Sequence, residues 1–195
     1  MSIPTPIPFP QSEGNSSVYQ PSLEELEIEF ANQFSNLQGR FVFCANEQEM
    51  VSQLLALTRQ LDWKEIYCCE KELAELLSLH QFAELTCKPL KDADVSITTC
   101  EALVARTGTI VMSAAQQSGR TVSVYAPVHV CIAYTDQLVY DIRDALQFMK
   151  QKYEDQLPSM ITFASGPSRT ADIEKTLVVG VHGPKEVYLF LIDRQ

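Results

Sequence analysis

The sequence is poor in basic residues: 15 Lys plus Arg stand against 25 Asp plus Glu, a formal net charge of −10. A protein that coats nucleic acid needs the opposite sign, so nucleic acid is not an expected partner. Long hydrophobic runs are missing too. A stretch such as Thr176 to Val181 falls far short of the ~20 residues that span a bilayer, and no membrane association is expected. Met1 to Pro10 has no basic start and is broken by Pro4, Pro6, Pro8 and Pro10, so a secretory leader is not expected and the expected location is cytoplasmic. No C-x-x-C pair occurs among Cys44, Cys68, Cys69, Cys87, Cys100 and Cys131, and His80, His129 and His182 lie far apart. Iron–sulfur and zinc sites are built from closely spaced ligands, so neither a metal nor another cofactor is expected. The cysteines read instead as small buried hydrophobes of a reducing compartment.

What is present is the composition of an ordinary globular domain, 46% hydrophobic and 21% charged, in a chain long enough to bury roughly 70% of its unfolded surface. A Pro/Ser-rich tail over residues 1–21 is expected to be flexible, with one α/β domain over 22–195. The acidity is concentrated in front: residues 1–100 hold 15 acids and 6 bases, residues 101–195 hold 10 and 9. Five of the seven glycines (Gly108, Gly119, Gly166, Gly180, Gly183) fall in that near-neutral second half, where backbone must turn sharply or approach something closely.

The periodicity alternates. Ser22 with Glu25 predicts a helix start, Leu23, Leu26, Phe30, Phe34 and Leu37 recur at helical spacing, and Gly39 closes the pattern. Phe41 to Ala45 reads as a strand, Asn46 with Glu49 opens a second helix, Ile66 to Cys69 is a strand, and Lys71 to His80 a helix with His80 as its cap. This predicts an open, largely parallel sheet flanked by helices. Val95 to Thr98, Ala102 to Ala105, Thr109 to Ser113, Thr121 to Tyr125, His129 to Tyr134 and Leu138 to Tyr140 read as strands. Asp141 caps a helix bearing Ile142, Leu146, Met149 and Tyr153 on one face; Ile161 to Ala164 is a strand, Thr170 to Leu177 a short helix, and Val187 to Ile192 the closing strand.

Three segments could carry chemistry. Thr107-Gly108-Thr109, at a strand boundary, could offer amides and hydroxyls to a ligand, or form a bulge or tight turn. Ser165-Gly166-Pro167-Ser168-Arg169-Thr170 leaves a strand for an expected helix start, where free amides and the Arg169 fork would suit a carboxylate or phosphate. It matches neither a Walker A loop nor a nucleophile elbow. Its plainer reading is a helix cap with Arg169 paired to Asp172 or Glu174. His182, with Gly183 at a sharp turn, and His129, at the head of a strand, could act as bases or brace backbone.

Taken in order, Ala105-Arg106-Thr107-Gly108-Thr109, Pro127-Val128-His129-Val130, Ser165 through Glu174 and Val179-Gly180-Val181-His182-Gly183-Pro184 resemble the LUD domain family, closely from about Val95 to Asp193. The resemblance implies the fold shared by ribose-5-phosphate isomerase, glucosamine-6-phosphate deaminase and CoA transferases, with ligands at the carboxyl ends of strands. It also implies a subunit that acts beside an iron–sulfur protein in oxidising L-lactate to pyruvate, without a cluster of its own. Many relatives carry an acidic residue where this chain has Arg106, which favours an anionic ligand there, and Asp is common where this chain has Glu101. The expected ligand-binding set is Thr107, Gly108, Thr109, His129, Ser165, Gly166, Ser168, Arg169, Thr170, His182 and Gly183, and the expected partner a small anionic metabolite. Two other functions stay open: a stand-alone enzyme on a phosphorylated or CoA-linked metabolite, with Glu101, Asp172 or His182 as nucleophile or base, and a regulatory module that binds a small molecule.

Overall fold

The computed structural model describes residues 24–86, 88–154, 156–170 and 178–194. The expected flexible tail, the Ser22 capping position, Cys87 and the segment from Ala171 to Leu177, Asp172 and Glu174 among them, lie outside the described residues. In chain order the elements are α1 (Leu26–Asn36), β1 (Arg40–Cys44), α2 (Glu47–Gln60), β2 (Ile66–Tyr67), α3 (Lys71–Leu79), β3 (Val95–Thr98), β4 (Ala102–Val104), β5 (Thr109–Ser113), α4 (Val122–Tyr125), β6 (Val128–Tyr134), β7 (Leu138–Val139), α5 (Ile142–Tyr153), β8 (Ile161–Ala164), β9 (Arg169–Thr170), β10 (Val178–Val179) and β11 (Glu186–Ile192).

Among the described residues the central sheet is five-stranded, in the order β1-β11-β6-β3-β2, and every pairing in it is parallel. Alternate side chains along a strand point to opposite faces, and both faces are apolar. Val130, Ile132, Tyr188, Phe190 and Ile192 pack one way, against Met50, Val51 and Leu54 of α2 and Leu73 and Leu77 of α3. Cys131, Ala133, Val187, Leu189 and Leu191 pack the other way, against Phe30 and Phe34 of α1 and Leu103, Ile110 and Met112 of a second sheet. That second sheet, ordered β7-β4-β5-β8, is mixed, with β4–β5 and β5–β8 antiparallel. Its far face presents Ala102, Val104 and Val111 to Ala145 of α5.

The local signals account for most helix ends. Asn46 accepts from the Glu49 amide at 2.9 Å, and Asp141 forms a reciprocal cap with Asp144. At the end of α1 the Gly39 and Gln38 amides donate to the Phe34 and Ser35 carbonyls, the paired bonds that close a helix through one left-handed residue. That residue is Gln38, at φ 68°, rather than the expected Gly39. Gly39 is required for another reason: a Cβ there would lie 2.4 Å from the Phe34 ring.

Three expectations are corrected. Thr121 to Tyr125, read as a strand from its β-branched residues, is a single helical turn, because packing of Val122 and Ser123 into the interior overrides local preference. Thr170, expected to open a helix, lies in a strand pair, with Arg169–Thr170 antiparallel to Val178–Val179, and the helix expected up to Leu177 lies outside the described residues. On α5 the buried residues are Ala145 and Met149, and Leu146 is left exposed, because the short β4–β5 face accepts only a narrow stripe.

Candidate functional site

The Thr107, Ser165 and Gly183 segments come together, and what lies between them is the last turn of α1. Thr109 Oγ1 sits 2.7 Å from Thr107 Oγ1 and 2.6 Å from Ser165 Oγ, a chain of three hydroxyls. Gly108 and Gly166 have positive φ and press their bare Cα atoms on α1: a Cβ at Gly108 would lie 2.5 Å from the Phe34 amide nitrogen, and one at Gly166 2.5 Å from the Leu37 carbonyl oxygen. Arg169 Nη2 donates to that same Leu37 carbonyl. The last turn of α1 contains no basic residue, so Arg169, remote in sequence, supplies the cation that a helix C-terminus favours. The Ser168 amide donates to the Pro184 carbonyl and the Gly180 amide to the Ser168 carbonyl, each at 2.9 Å, which folds the Gly180–Pro184 turn around Ser168; a Cβ at Gly183 would lie 2.9 Å from Ser168 Cβ. His182 is exposed on this turn.

α1 runs directly into the start of β1, and Pro184 into the start of β11, so this cluster stands at the amino ends of the parallel strands. The expectation placed it at the carboxyl ends, where ligands collect in such sheets. The expected anion attraction at Arg106 is also altered, because its Nε donates to Asp141 Oδ2 at 2.6 Å. The Arg143 amide above all, then that bond and the charges of Arg106 and Arg143, hold the Asp141 carboxyl below its usual range against the opposing effect of burial. His129 does not join the cluster. It is sealed inside the central sheet at 1% exposure, with Nε2 2.8 Å from Thr98 Oγ1, and burial pushes its pKa down to about 4.

The carboxyl ends of β2 and β3 hold a different arrangement. A cavity of about 280 Å³ opens there among Glu70, Thr99, Glu101, Gln116, Lys152 and Tyr153. Glu101 is 2% exposed; its Oε1 accepts from Ser113 Oγ at 2.5 Å and Tyr153 OH at 2.7 Å, and its Oε2 from Lys152 Nζ at 2.7 Å. Burial opposes the charge of Glu101, but the Lys152, Ser113 and Tyr153 hydrogen bonds and the Lys152 ammonium outweigh it, so the carboxyl titrates below its ordinary value. Glu70, 6% exposed, accepts through Oε2 from the Thr99 amide at 3.0 Å and Thr99 Oγ1 at 2.6 Å. Its Oε1 is buried and has no partner. Sequence reasoning found Glu101 here and missed Glu70, Lys152 and Tyr153. The signal for Glu70 was its place at the end of a strand feeding a helix. Nothing in the sequence ties Lys152 to a residue 51 positions earlier.

Other cavities are less suggestive. One of about 440 Å³ includes Glu47, His80, Tyr134 and Arg194, but Tyr134 OH donates to Glu47 at 2.7 Å and Arg194 lies 3.0 Å from Asp136. Among the described residues no group of three or more His, Cys, Asp or Glu is placed to hold a metal ion, and no helix is long and apolar enough to cross a membrane.

Lys152→Met is expected to destabilise the fold by about 1–3 kcal/mol at pH 7, because Glu101 keeps two hydroxyl donors but loses its cation. Without Lys152 the carboxyl loses a hydrogen bond and a charge that hold its pKa down, so the variant's folded pKa lies above that of the unaltered chain. The penalty is then full above the variant's folded pKa and shrinks as pH falls through it. Denaturant melts of both proteins from pH 8 to pH 4.5 check this; a penalty independent of pH would show that Lys152 contributes only packing.

A parallel sheet flanked by helices, with a mixed sheet on one side and carboxylates at the strand ends, defines an α/β protein of the open-sheet class. The LUD domain matches residues 28–192, and the chain belongs to the LUD domain family. The fold is similar to that of a DUF162 family protein from Deinococcus radiodurans, at a TM-score of 0.60 and 18% identity, covering 86% of this chain and 96% of that one. Lactate utilization protein C of Bacillus licheniformis is 37% identical over 107 residues, 53% of this chain and 45% of the relative. The protein of that name from Bacillus subtilis is 36% identical over 110 residues, 55% of this chain and 46% of the relative. The chain thus spans about half the length of the curated relatives it matches.

Proposed function

We propose that the chain is a subunit of an L-lactate utilization system, binding a small anionic metabolite while an iron–sulfur partner carries the electrons of lactate oxidation. The observation that carries this reading is the 36–37% identity to relatives named lactate utilization protein C. The six cysteines, without C-x-x-C spacing, support assigning electron transfer to a partner. The amino-end cluster is occupied by the last turn of α1, so the metabolite is assigned to the carboxyl-end cavity, the position that open parallel sheets favour. The test is genetic: deleting the gene for this chain should abolish growth on L-lactate as sole carbon source, and restoring it should recover growth. Undiminished growth of the deletion strain on lactate would overturn the reading.

A further inference from the structure

The central sheet ends in an open edge over an apolar groove. β1 is the last strand in the order β1-β11-β6-β3-β2, so among the described residues only its inner edge is paired, to β11. Proteins usually blunt such an edge with lysine, proline or a bulge, because it can template a further strand. After Arg40 the strand reads Phe41-Val42-Phe43-Cys44, with neither a charge nor a proline. Phe41 and Phe43 share one face of the strand and, with Ile28 and Ala31 of α1, line a groove of about 580 Å³. Phe43 and Ile28 are each 49% exposed, and large apolar side chains standing in an open groove are typical anchors of a protein interface.

The polar rim of this groove is of one sign. Glu25, Glu27 and Asp193 border it, and the cations closest to them in sequence are committed elsewhere, Arg194 to Asp136 at 3.0 Å and Arg40 to Glu186 at 3.1 Å. That sign decides between occupants. A second copy docked about a two-fold axis would bring its own three carboxylates to the same rim. Residues 1–23, which lead into α1, contain one acid, Glu13, and no Lys or Arg. Neither complements the rim. We infer that the groove and the open edge of β1 dock an extended segment of another protein in which apolar residues are interspersed with Lys or Arg. Its backbone adds a strand beside β1, its apolar side chains cover Phe43 and Ile28, and its cations meet Glu25, Glu27 and Asp193. The inference stands on this edge and not on the lactate role.

The test replaces Phe43 of the full chain by the photoreactive p-benzoylphenylalanine in the cells that make it, irradiates them, and identifies the crosslinked peptide by mass spectrometry. The expected capture is a segment of another protein bearing both apolar residues and Lys or Arg, and absent when the same replacement is made at Leu79, which is 78% exposed on α3. Adding Glu25→Gln, Glu27→Gln and Asp193→Asn should lower the yield about fivefold or more. Glu25, the residue before α1, makes no side-chain cap bond, so the thermal melt of that variant should stay near that of the unaltered chain. Should the variant fail to fold, the captured segment, synthesised as a peptide, is titrated calorimetrically into the unaltered chain, and its affinity should fall about fivefold or more between roughly 50 and 500 mM NaCl. Crosslinks to a second copy, to residues 1–23, to lipid or to a segment without cations would each overturn the inference. So would a yield no higher than at Leu79, or a capture indifferent to the three neutralisations or to salt.

Discussion

Gly108→Ala is expected to cost about 3–5 kcal/mol, combining left-handed strain and overpacking that each amount to roughly 1–3 kcal/mol. Gly108 sits at φ 56°, and the atoms a Cβ would meet are the Phe34 amide nitrogen at 2.5 Å and the Gln33 carbonyl carbon at 2.7 Å. Both are backbone atoms of a helix whose Phe30 and Phe34 are fully buried, so relief requires α1 to move off the central sheet. For a chain of this size the melting temperature should fall on the order of 10 °C. Gly119→Ala is the matched control: φ is 61° there too, but nothing lies within 4 Å of the added carbon, so only the strain, about 1 kcal/mol, should appear. Thermal and urea melts of the two variants make the comparison. Similar losses at both positions would show that backbone strain, and not the clamp on α1, is what Gly108 relieves.

Acid is expected to weaken the fold well before the carboxylates protonate. His129 is fully enclosed and bound to Thr98 Oγ1, and burial lowers its folded pKa from 6.5 to about 4. Between those values the unfolded chain carries a proton there that the folded chain refuses. Stability is therefore undiminished above about pH 6.5, falls as pH drops through the window, and levels off near pH 4. At about 1.36 kcal/mol per unit the loss is on the order of 3 kcal/mol. His129→Gln can still hydrogen-bond Thr98 but cannot titrate. Urea unfolding at pH 7.5, 6.5, 5.5 and 4.5 should give a falling curve for the unaltered chain and a flatter one for the variant; parallel curves would remove His129 as the cause.

Much of this architecture can be read along the chain. Helical spacing of Phe30 and Phe34, the Asn46 and Asp141 caps and the apolar runs at Val95, His129 and Val187 each state a local preference, and packing reinforced it. Where preference and packing disagreed, packing prevailed, as at Val122–Tyr125. The site was legible only in part. Thr107, Gly108, Thr109, Ser165, Gly166 and Arg169 were read as ligand-binding residues, with the glycines as points where backbone approaches something closely; the neighbour that Gly108, Gly166 and Arg169 approach is the end of α1. A one-dimensional pattern reports that a close approach is needed, but a ligand and a helix terminus make the same demand on glycine, hydroxyls and arginine.

Periodicity and capping were enough to specify parallel strands alternating with helices, because each depends on residues within a few positions of one another. Tertiary structure alone decided that Arg169 closes α1, that Arg106 is held by Asp141, and that Lys152 and Tyr153 meet Glu101 beside a Glu70 oxygen left without a donor. Those pairings join residues tens of positions apart. Their geometry exists only once the sheets have packed and excluded water, and it is that exclusion which makes an unpaired carboxylate oxygen costly.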